Sequence, residues 1–344
     1  MSSPIRVGLL GLGRSGWGIH ADGLDKHSSY QVAAVADPLA ERRDEAKARF
    51  GCACYETPEA LIAESDVDAV VVATPSHTHV PLALAALAAG KHAVVEKPFA
   101  QSAAEVDQLV AAAKKAGRVV TCYQPRRFDA EFLEIQEWIT SGRLGRIISI
   151  RLGIYRFQRR ADWQMLRKYG GGELSNTTPH PLDQLLLLLG DGDIELCADL
   201  QRGVGAGDAE DHVMLVLKHA SGTVGTIEVT NCCALPLPSW VIMGTYGTLL
   251  QRGRELTAKW FDPSEVGELT LDEGAAKGRK YGTGEEIPWQ EKTWKPELVR
   301  PQSLAFYDRL EGTIRGGEPV YVRPEETRRQ IELIEEARRQ TGIL

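Results

Sequence analysis

"IRVGLLGLGRSG", residues 5–16, is the stretch on which the fold turns. Ile5 to Leu10 make a short, mostly apolar run that stops at glycine, the pattern of a strand buried in a sheet. Gly11, Gly13 and Gly16 follow at G-x-G-x-x-G spacing, with Arg14 and Ser15 inside the loop. Alone, this pattern is weak, because glycine-rich chains produce it by chance. Between a strand and a helix it acquires a mechanism. Gly11 makes the tight turn, Gly13 lets backbone approach a pyrophosphate, and Gly16 lets helix and strand pack closely. The helix start then points its unpaired N–H groups at the phosphates, so residues 11–16 are expected to hold a dinucleotide.

Outward from there, similar runs recur in "QVAAVAD" (31–37), "DAVVVAT" (68–74), "KHAVVEK" (91–97) and "GRVVTCY" (117–123). Helical stretches alternate with them. "LAERRDEAKARFG" (39–51) stops at Gly51, and "PLALAALAAG" (81–90) runs from a proline start to a glycine stop. "SAAEVDQLVAAAKKAG" (102–117) opens on Ser102 with Glu105 three residues on, a capping box. This alternation predicts βαβ units and a parallel sheet. Asp37 closes the second run, about 20 residues past the glycine loop, where a carboxylate bonds an adenosine ribose 2′-OH. The plainer alternative is a simple turn at 11–16, with Asp37 starting a second turn before Pro38. A carboxylate at 37 repels a 2′-phosphate, so NAD is expected ahead of NADP. Arg42 and Arg43 are expected on the solvated face of the 39–50 helix.

After a helix over "EFLEIQEWITSG" (131–142) the character changes. "RIISIRLGIYRF" (146–157), "DHVMLVLKHA" (211–220), "GTVGTIEVT" (222–230) and "WVIMGTYGTLLQ" (240–251) are strand-like and separated by turns, the sign of an antiparallel sheet. Residues 262–302 read as loops or edge excursions, and "PEETRRQIELIEEARRQTG" (324–342) as a closing helix. The boundary is expected near Tyr123–Phe128, giving domains 1–125 and 126–344, with the closing helix placed to pack back on the first.

The chain has 344 residues, a length that suits two domains, with 43% hydrophobic and 25% charged residues. A net charge of −7 argues against nucleic-acid binding, which needs clustered Lys and Arg. No apolar run approaches the ~20 residues needed to cross a bilayer. "MSSPIRVGLLGLG" lacks the charged region and cleavage site of a signal peptide, so a cytoplasmic location is expected. Six cysteines do not have zinc-ribbon spacing and are expected as reduced thiols. His77 and His79 without a matching carboxylate are too few for a metal site, and none is expected.

"VVEKPFA" (94–100) places Glu96 and Lys97 at the mouth of a buried strand, with Pro98 fixing the exit. The ends of parallel strands are where ligands collect in open α/β sheets. A partly desolvated lysine there can bond a substrate hydroxyl. It can equally be a surface lysine paired with Glu96, and the residues alone leave both readings open.

Together, "GLGRSG", "VAAVADP", "ATPSHTHVPLALAALAAGKHAVVEKP" and "GGGELSNTTPHPLDQLLLLLG" (170–190) resemble the Gfo/Idh/MocA oxidoreductases, named for glucose–fructose oxidoreductase and inositol dehydrogenase. The resemblance runs motif by motif from Ile5 to about Leu189 and more loosely beyond. It implies an α/β N-terminal Rossmann domain and an α+β C-terminal domain with a large open-faced, mostly antiparallel sheet. It also implies NAD(P)-dependent chemistry on a sugar, polyol or related carbonyl compound. Homo-oligomers, dimers or tetramers through that sheet, are implied too. By the same resemblance Lys97 is the catalytic lysine and His180 the acid/base on the substrate hydroxyl. Asp183 matches a more structural aspartate. Thr74, Pro75 and His79 match the loop beside the nicotinamide, Glu96 the contact to its ribose, and Gln124 a similar strand-end loop. Arg127 matches an arginine near substrate.

Asn176 departs from the pattern, since many members carry aspartate four residues before the histidine. An amide cannot ionise and cannot raise the histidine's basicity, though it can still orient a hydroxyl. In "YRFQRRADWQ" (155–164), Tyr155 and Trp163 offer aromatic faces to a sugar, and Arg159, Arg160 and Gln164 offer planar hydrogen bonds. A loop packed at the domain interface explains that stretch as well. The leading expectation is an NAD-dependent dehydrogenase of a sugar or polyol. Transient oxidation with glycoside cleavage, and a non-catalytic NAD- or sugar-binding sensor, stand as alternatives.

Overall fold

β1 (Ile5–Leu10), β2 (Tyr30–Ala36), β3 (Ala53–Tyr55), β4 (Ala69–Val72), β5 (His92–Val95) and β6 (Val120–Cys122) form one parallel sheet in the order β3-β2-β1-β4-β5-β6. The structure is a computed structural model and describes residues 3–271, 273–274 and 285–343. β4 is buried along its whole length and β5 along all but its first residue, because helices cover both faces. Those helices are α1 (Asp22–Asp25), which continues a π-helical turn over Gly16–Ala21, α2 (Ala40–Phe50), α3 (Pro58–Glu64), α4 (His79–Ala88) and α5 (Ala103–Ala116). Strand order switches direction between β1 and β4, which opens a crevice at their C-terminal ends.

Local chemistry sets the helix ends. Ser102 Oγ accepts from Glu105 N at 3.3 Å, and the Glu105 carboxylate takes the Gln101 N–H at 2.6 Å, one residue earlier than a strict capping box. α2 and α5 stop at Gly51 and Gly117, both left-handed. α4 starts two residues before Pro81. Proline is tolerated there because first-turn N–H groups have no helical partner anyway. β3 is a three-residue, partly exposed edge strand, too short for its apolar pattern to register in the sequence.

The second half contains α6 (Ala130–Thr140), β7 (Ile147–Tyr155), α7 (Glu173–Asn176), α8 (Pro179–Leu189), β8 (Ile194–Gln201), β9 (His212–His219), β10 (Val224–Thr230), β11 (Trp240–Gly244), β12 (Gly247–Arg252), β13 (Glu255–Trp260), β14 (Gln290–Trp294), α9 (Gln302–Gly316) and α10 (Pro324–Thr341). Among the described residues its eight strands form a second sheet, β14-β13-β12-β11-β7-β10-β9-β8, in which only the β7–β10 pair is parallel. The 240–251 stretch folds as the β11–β12 hairpin rather than one strand. β14 is the sheet's edge within 262–302, while residues 272 and 275–284 of that stretch lie outside the described residues. Leu185, Ile135 and Ile334, from α8, α6 and α10, pack on one face of the sheet against residues such as Leu215 and Ile227. Strand residues on the opposite face, as in β9 and β10, are only partly buried.

The chain divides differently in space than in sequence. α9, which the sequence reading did not find, carries Phe306, Tyr307 and Leu310 into the core of the first domain. Tyr307 is fully buried, with its ring against Tyr30, Tyr123 and His20. Each such side chain contributes on the order of 1.5–3 kcal/mol. Leu304, Tyr307, Leu310 and Ile314 do recur at helical spacing, but the preceding loop-like composition masks them. α10 lies across both domains, placing Ile331 in the first core and Ile334 in the second.

Candidate active site

A cleft of about 1730 Å³ runs from the glycine loop across the ends of the parallel strands to the second sheet. That exceeds the ~300–1,000 Å³ of ordinary ligand pockets, so there is room for a dinucleotide and a second molecule. Gly11, Gly13, Arg14, Ser15, Asp37, Thr74, Pro75, His79, Glu96, Lys97, Trp163, Asn176 and His180 all line it. Gly16 lies just behind.

The three glycines have three different reasons. Gly11 has φ +89, and a Cβ there would meet the Ala73 carbonyl oxygen at 2.8 Å. At Gly16 a Cβ would collide with the Gly11 carbonyl oxygen, so the helix could not approach the loop. At Gly13 nothing lies within 4 Å, which leaves open backbone on the cleft wall. This cradle of exposed amide and missing side chains fits a pyrophosphate.

Asp37 is 2% exposed. Its carboxylate accepts from Leu12 N at 2.8 Å and Leu39 N at 3.0 Å, so it braces the glycine loop against the end of β2. Arg42 and Arg43 correct the expectation of a purely solvated face. Arg42 lines the cleft and donates to Asp37 Oδ2 at 3.3 Å, and Arg43 donates to the Asp37 carbonyl at 2.7 Å. The buried carboxylate and the backbone carbonyls at the start of α2 draw both guanidinium groups inward.

His79 bridges two loops, with Nε2 2.8 Å from the Thr74 carbonyl and Nδ1 2.8 Å from the Pro98 carbonyl. Burial pushes its pKa down against those carbonyls, so at neutral pH it carries one proton and donates to one of the two. Thr74 Oγ1 bonds Thr78 Oγ1 at 2.6 Å. Glu96 pairs with buried His20 at 3.2 Å and takes the Lys97 N–H at 3.0 Å. Burial raises its carboxyl, but the hydrogen bond and charge of His20, with Lys97, outweigh this and hold it at about 2. His20 in turn meets the Tyr307 hydroxyl at 2.7 Å, which ties the site to α9.

Lys97 Nζ reaches across the cleft and donates to the Asn176 carbonyl at 2.8 Å. Burial lowers its pKa, opposed by Glu96. The Asn176 side chain turns away, donating to the Gln164 carbonyl at 3.3 Å. His180 sits in the first turn of α8, after Pro179, with Nδ1 3.1 Å from Gln124 Oε1. Burial, then the charges of Lys97 and Arg126, push its pKa down to about 3, so the ring is neutral at working pH. Gln124 is 1% exposed and meets His180 rather than lining the cleft.

Two further expected positions differ. Arg127 is 2% exposed and faces inward, against the expectation of a place near substrate. Its guanidinium forks onto Asp183 at 2.8 and 2.6 Å and reaches Glu326 at 2.8 Å, joining α8, α10 and the turn after β6. The adjacent Arg126 is the one on the cleft wall. Tyr155 also lies off the cleft. Side chains alternate along β7, so Ile154 and Arg156 line the cleft while the Tyr155 ring lies over Gly153 on the other face. Arg156 was missed, although the same alternation, run on from Ile154, would have found it. It pairs with buried Glu173 at 2.6 Å. Among the described residues no group of three or more His, Cys, Asp or Glu is arranged to hold a metal, and all six cysteines are free.

Residues 5–124 match the oxidoreductase family with an NAD-binding Rossmann fold, and residues 132–250 match the C-terminal domain of the same family. The chain belongs to the Gfo/Idh/MocA oxidoreductase family. It is 28% identical to the oxidoreductase YdgJ of Escherichia coli K12, over 97% of this chain and 96% of that one. It is 31% identical to the myo-inositol 2-dehydrogenase of Thermotoga maritima, over 65% of this chain and 68% of the relative. The crystal structure of an NAD-binding protein from Listeria innocua superposes with a TM-score of 0.81 at 27% identity, covering 99% and 95% of the two chains. No helix among the described residues of this oxidoreductase is long and apolar enough to cross a membrane.

Proposed function

We propose that this oxidoreductase is a dehydrogenase that moves hydride between NAD and a carbon bearing a hydroxyl or carbonyl on a sugar, polyol or sugar derivative. The observation that carries the reading is the meeting of Lys97, from the first domain, with the turn that leads to His180 in the second. A substrate hydroxyl between them meets a cation and a neutral imidazole. His180 accepts the hydroxyl proton, and the Lys97 ammonium stabilises the charge left on oxygen. A ring with so low a pKa is a weak base, so the lysine's field has to supply much of the driving force. A bound nicotinamide supplies the hydride acceptor. The first domain contributes the phosphate cradle and Asp37 for the ribose. The buried carboxylate favours NAD, with Arg42 beside it as a cation placed to receive a 2′-phosphate. The partly buried outer face of the second sheet suits a second copy, so sedimentation is expected to give a dimer or tetramer.

The test is NADH formation by purified protein on a panel of inositols, aldoses and sugar derivatives. Turnover with at least one of them is expected. Tight NADH binding with no turnover of any hydroxyl or carbonyl compound would overturn the reading.

A further inference from the structure

His180 enters the proposed reaction as a neutral ring, so the nitrogen that carries its proton decides what it can do. Nδ1 lies 3.1 Å from Gln124 Oε1. Nε2 has no partner among the described residues and is not sealed from solvent, and the ring lines the cleft. An amide oxygen only accepts, so this arrangement requires the proton on Nδ1. We propose that Gln124 is a positioning residue that holds His180 as the Nδ1–H tautomer and leaves the Nε2 lone pair facing the cleft. This rests on the reading of His180 as the proton acceptor.

A carboxylate at position 124 would hold the same tautomer but would add negative charge and raise the imidazole's basicity. The amide orients without charging. The groups that act electrostatically on the ring are Lys97 and Glu96 from the end of β5 and Arg126 from the turn after β6. Asp183, one turn along α8, is occupied by Arg127. The orientation of the ring therefore falls to Gln124. Its position is tightly set, since it follows Tyr123 just past the end of β6 and caps the helical turn Pro125–Phe128. The Gln124 amide nitrogen is buried without a partner among the described residues, so the one polar contact this side chain makes is to His180. With the amide turned over, nitrogen would donate to a bare Nδ1, the ring proton would move to Nε2, and the cleft would face a donor unable to take a proton.

The two arrangements give opposite nitrogen spectra. Long-range proton–nitrogen NMR on imidazole-labelled protein with NADH bound, assigned by loss of the signal in His180→Asn, reads the tautomer without any turnover. The expected result is a protonated Nδ1 and a bare Nε2, held from pH 8 down to 5. Gln124→Leu is expected to mix the two tautomers and to lower kcat about ten- to a hundredfold with NADH affinity unchanged. Gln124→Glu is expected to keep the Nδ1–H tautomer and move the acidic limb of kcat/KM to higher pH. A protonated Nε2 in the native protein overturns the proposal, as does an unchanged tautomer in Gln124→Leu. If that variant does not fold, the native spectrum and Gln124→Glu still decide. The expected tautomer with no turnover of any substrate would sink the dehydrogenase reading and leave the tautomer assignment standing.

Discussion

The two ends of the cleft are built in different ways. At the end proposed to hold the cofactor, backbone forms most of the wall, through Gly11, Gly13 and Gly16, with Asp37 braced by two main-chain N–H groups. Everything there lies within about one βαβ unit of chain. At the other end side chains converge from four separate segments: Lys97 after β5, Gln124 after β6, Arg156 after β7, and His180 in α8. The first end is a local fold property, and the second exists only once the two domains have docked. Damage should separate accordingly. Changes at the second end should cost turnover or docking, and changes at the first should cost cofactor binding or choice.

The largest expected effects are at Lys97 and His180. Lys97→Ala and His180→Ala should each lower kcat by roughly 10²–10⁴, with the double variant scarcely worse than either single one, because in the proposed reaction the pair acts on one proton and one oxygen. Steady-state kinetics check this. Next comes the docking clamp. Arg127→Met leaves Asp183 buried without its partner and should cost about 3–5 kcal/mol of stability, read from denaturant midpoints. Its effect on NADH affinity in the protein that remains folded should be small. At the cofactor end, Asp37→Asn keeps the side chain's shape, removes its charge and gives up one of its two main-chain N–H bonds, so affinity for both cofactors should fall somewhat. It should move the NADP/NAD preference about tenfold toward NADP, measured as the ratio of kcat/KM for the two cofactors.

The smallest and most distributed effect is on pH. Burial holds His180 at about 3 and His92 at about 4, and lowers His79. As pH falls below ~6.5 the unfolded chain takes up protons at these rings while the folded chain does not. Their cost is therefore absent above about pH 7 and grows as pH falls toward 4. Glu96, held at about 2, works in the same direction at lower pH, since its stabilising ionised form is lost only as pH drops toward that value. Denaturation midpoints should fall steadily from pH 7 to 4. The acidic limb of kcat/KM should show no step near 6.5 from His180.

The same division explains what could be read from sequence. Gly11 to Gly16 and Asp37 are legible because each residue's role follows from its neighbours in the chain and a strand-then-helix context. β3 was missed because three half-exposed residues carry no pattern, and α9 because loop-like composition precedes it. At the substrate end the signals are non-local. Arg126 and Arg127 are adjacent and alike, and only the buried Asp183 and the partly buried Glu326 decide that Arg127 turns inward. Tyr155 and Arg156 are separated by a single step of strand alternation, which sends one to each face. Arg42 turns inward because Asp37 is buried beside it, a fact that composition does not carry.

On the proposed function, cofactor binding and chemistry are separated between opposite ends of one cleft, a separation open to measurement. It is tested most directly by measuring the NADH dissociation constant and kcat side by side in Lys97→Ala, His180→Ala and the unaltered protein. NADH affinities are expected within about threefold of one another, with kcat lower by at least a hundredfold in both variants. Turnover that survives in both variants, or NADH affinity that collapses together with kcat, would contradict it.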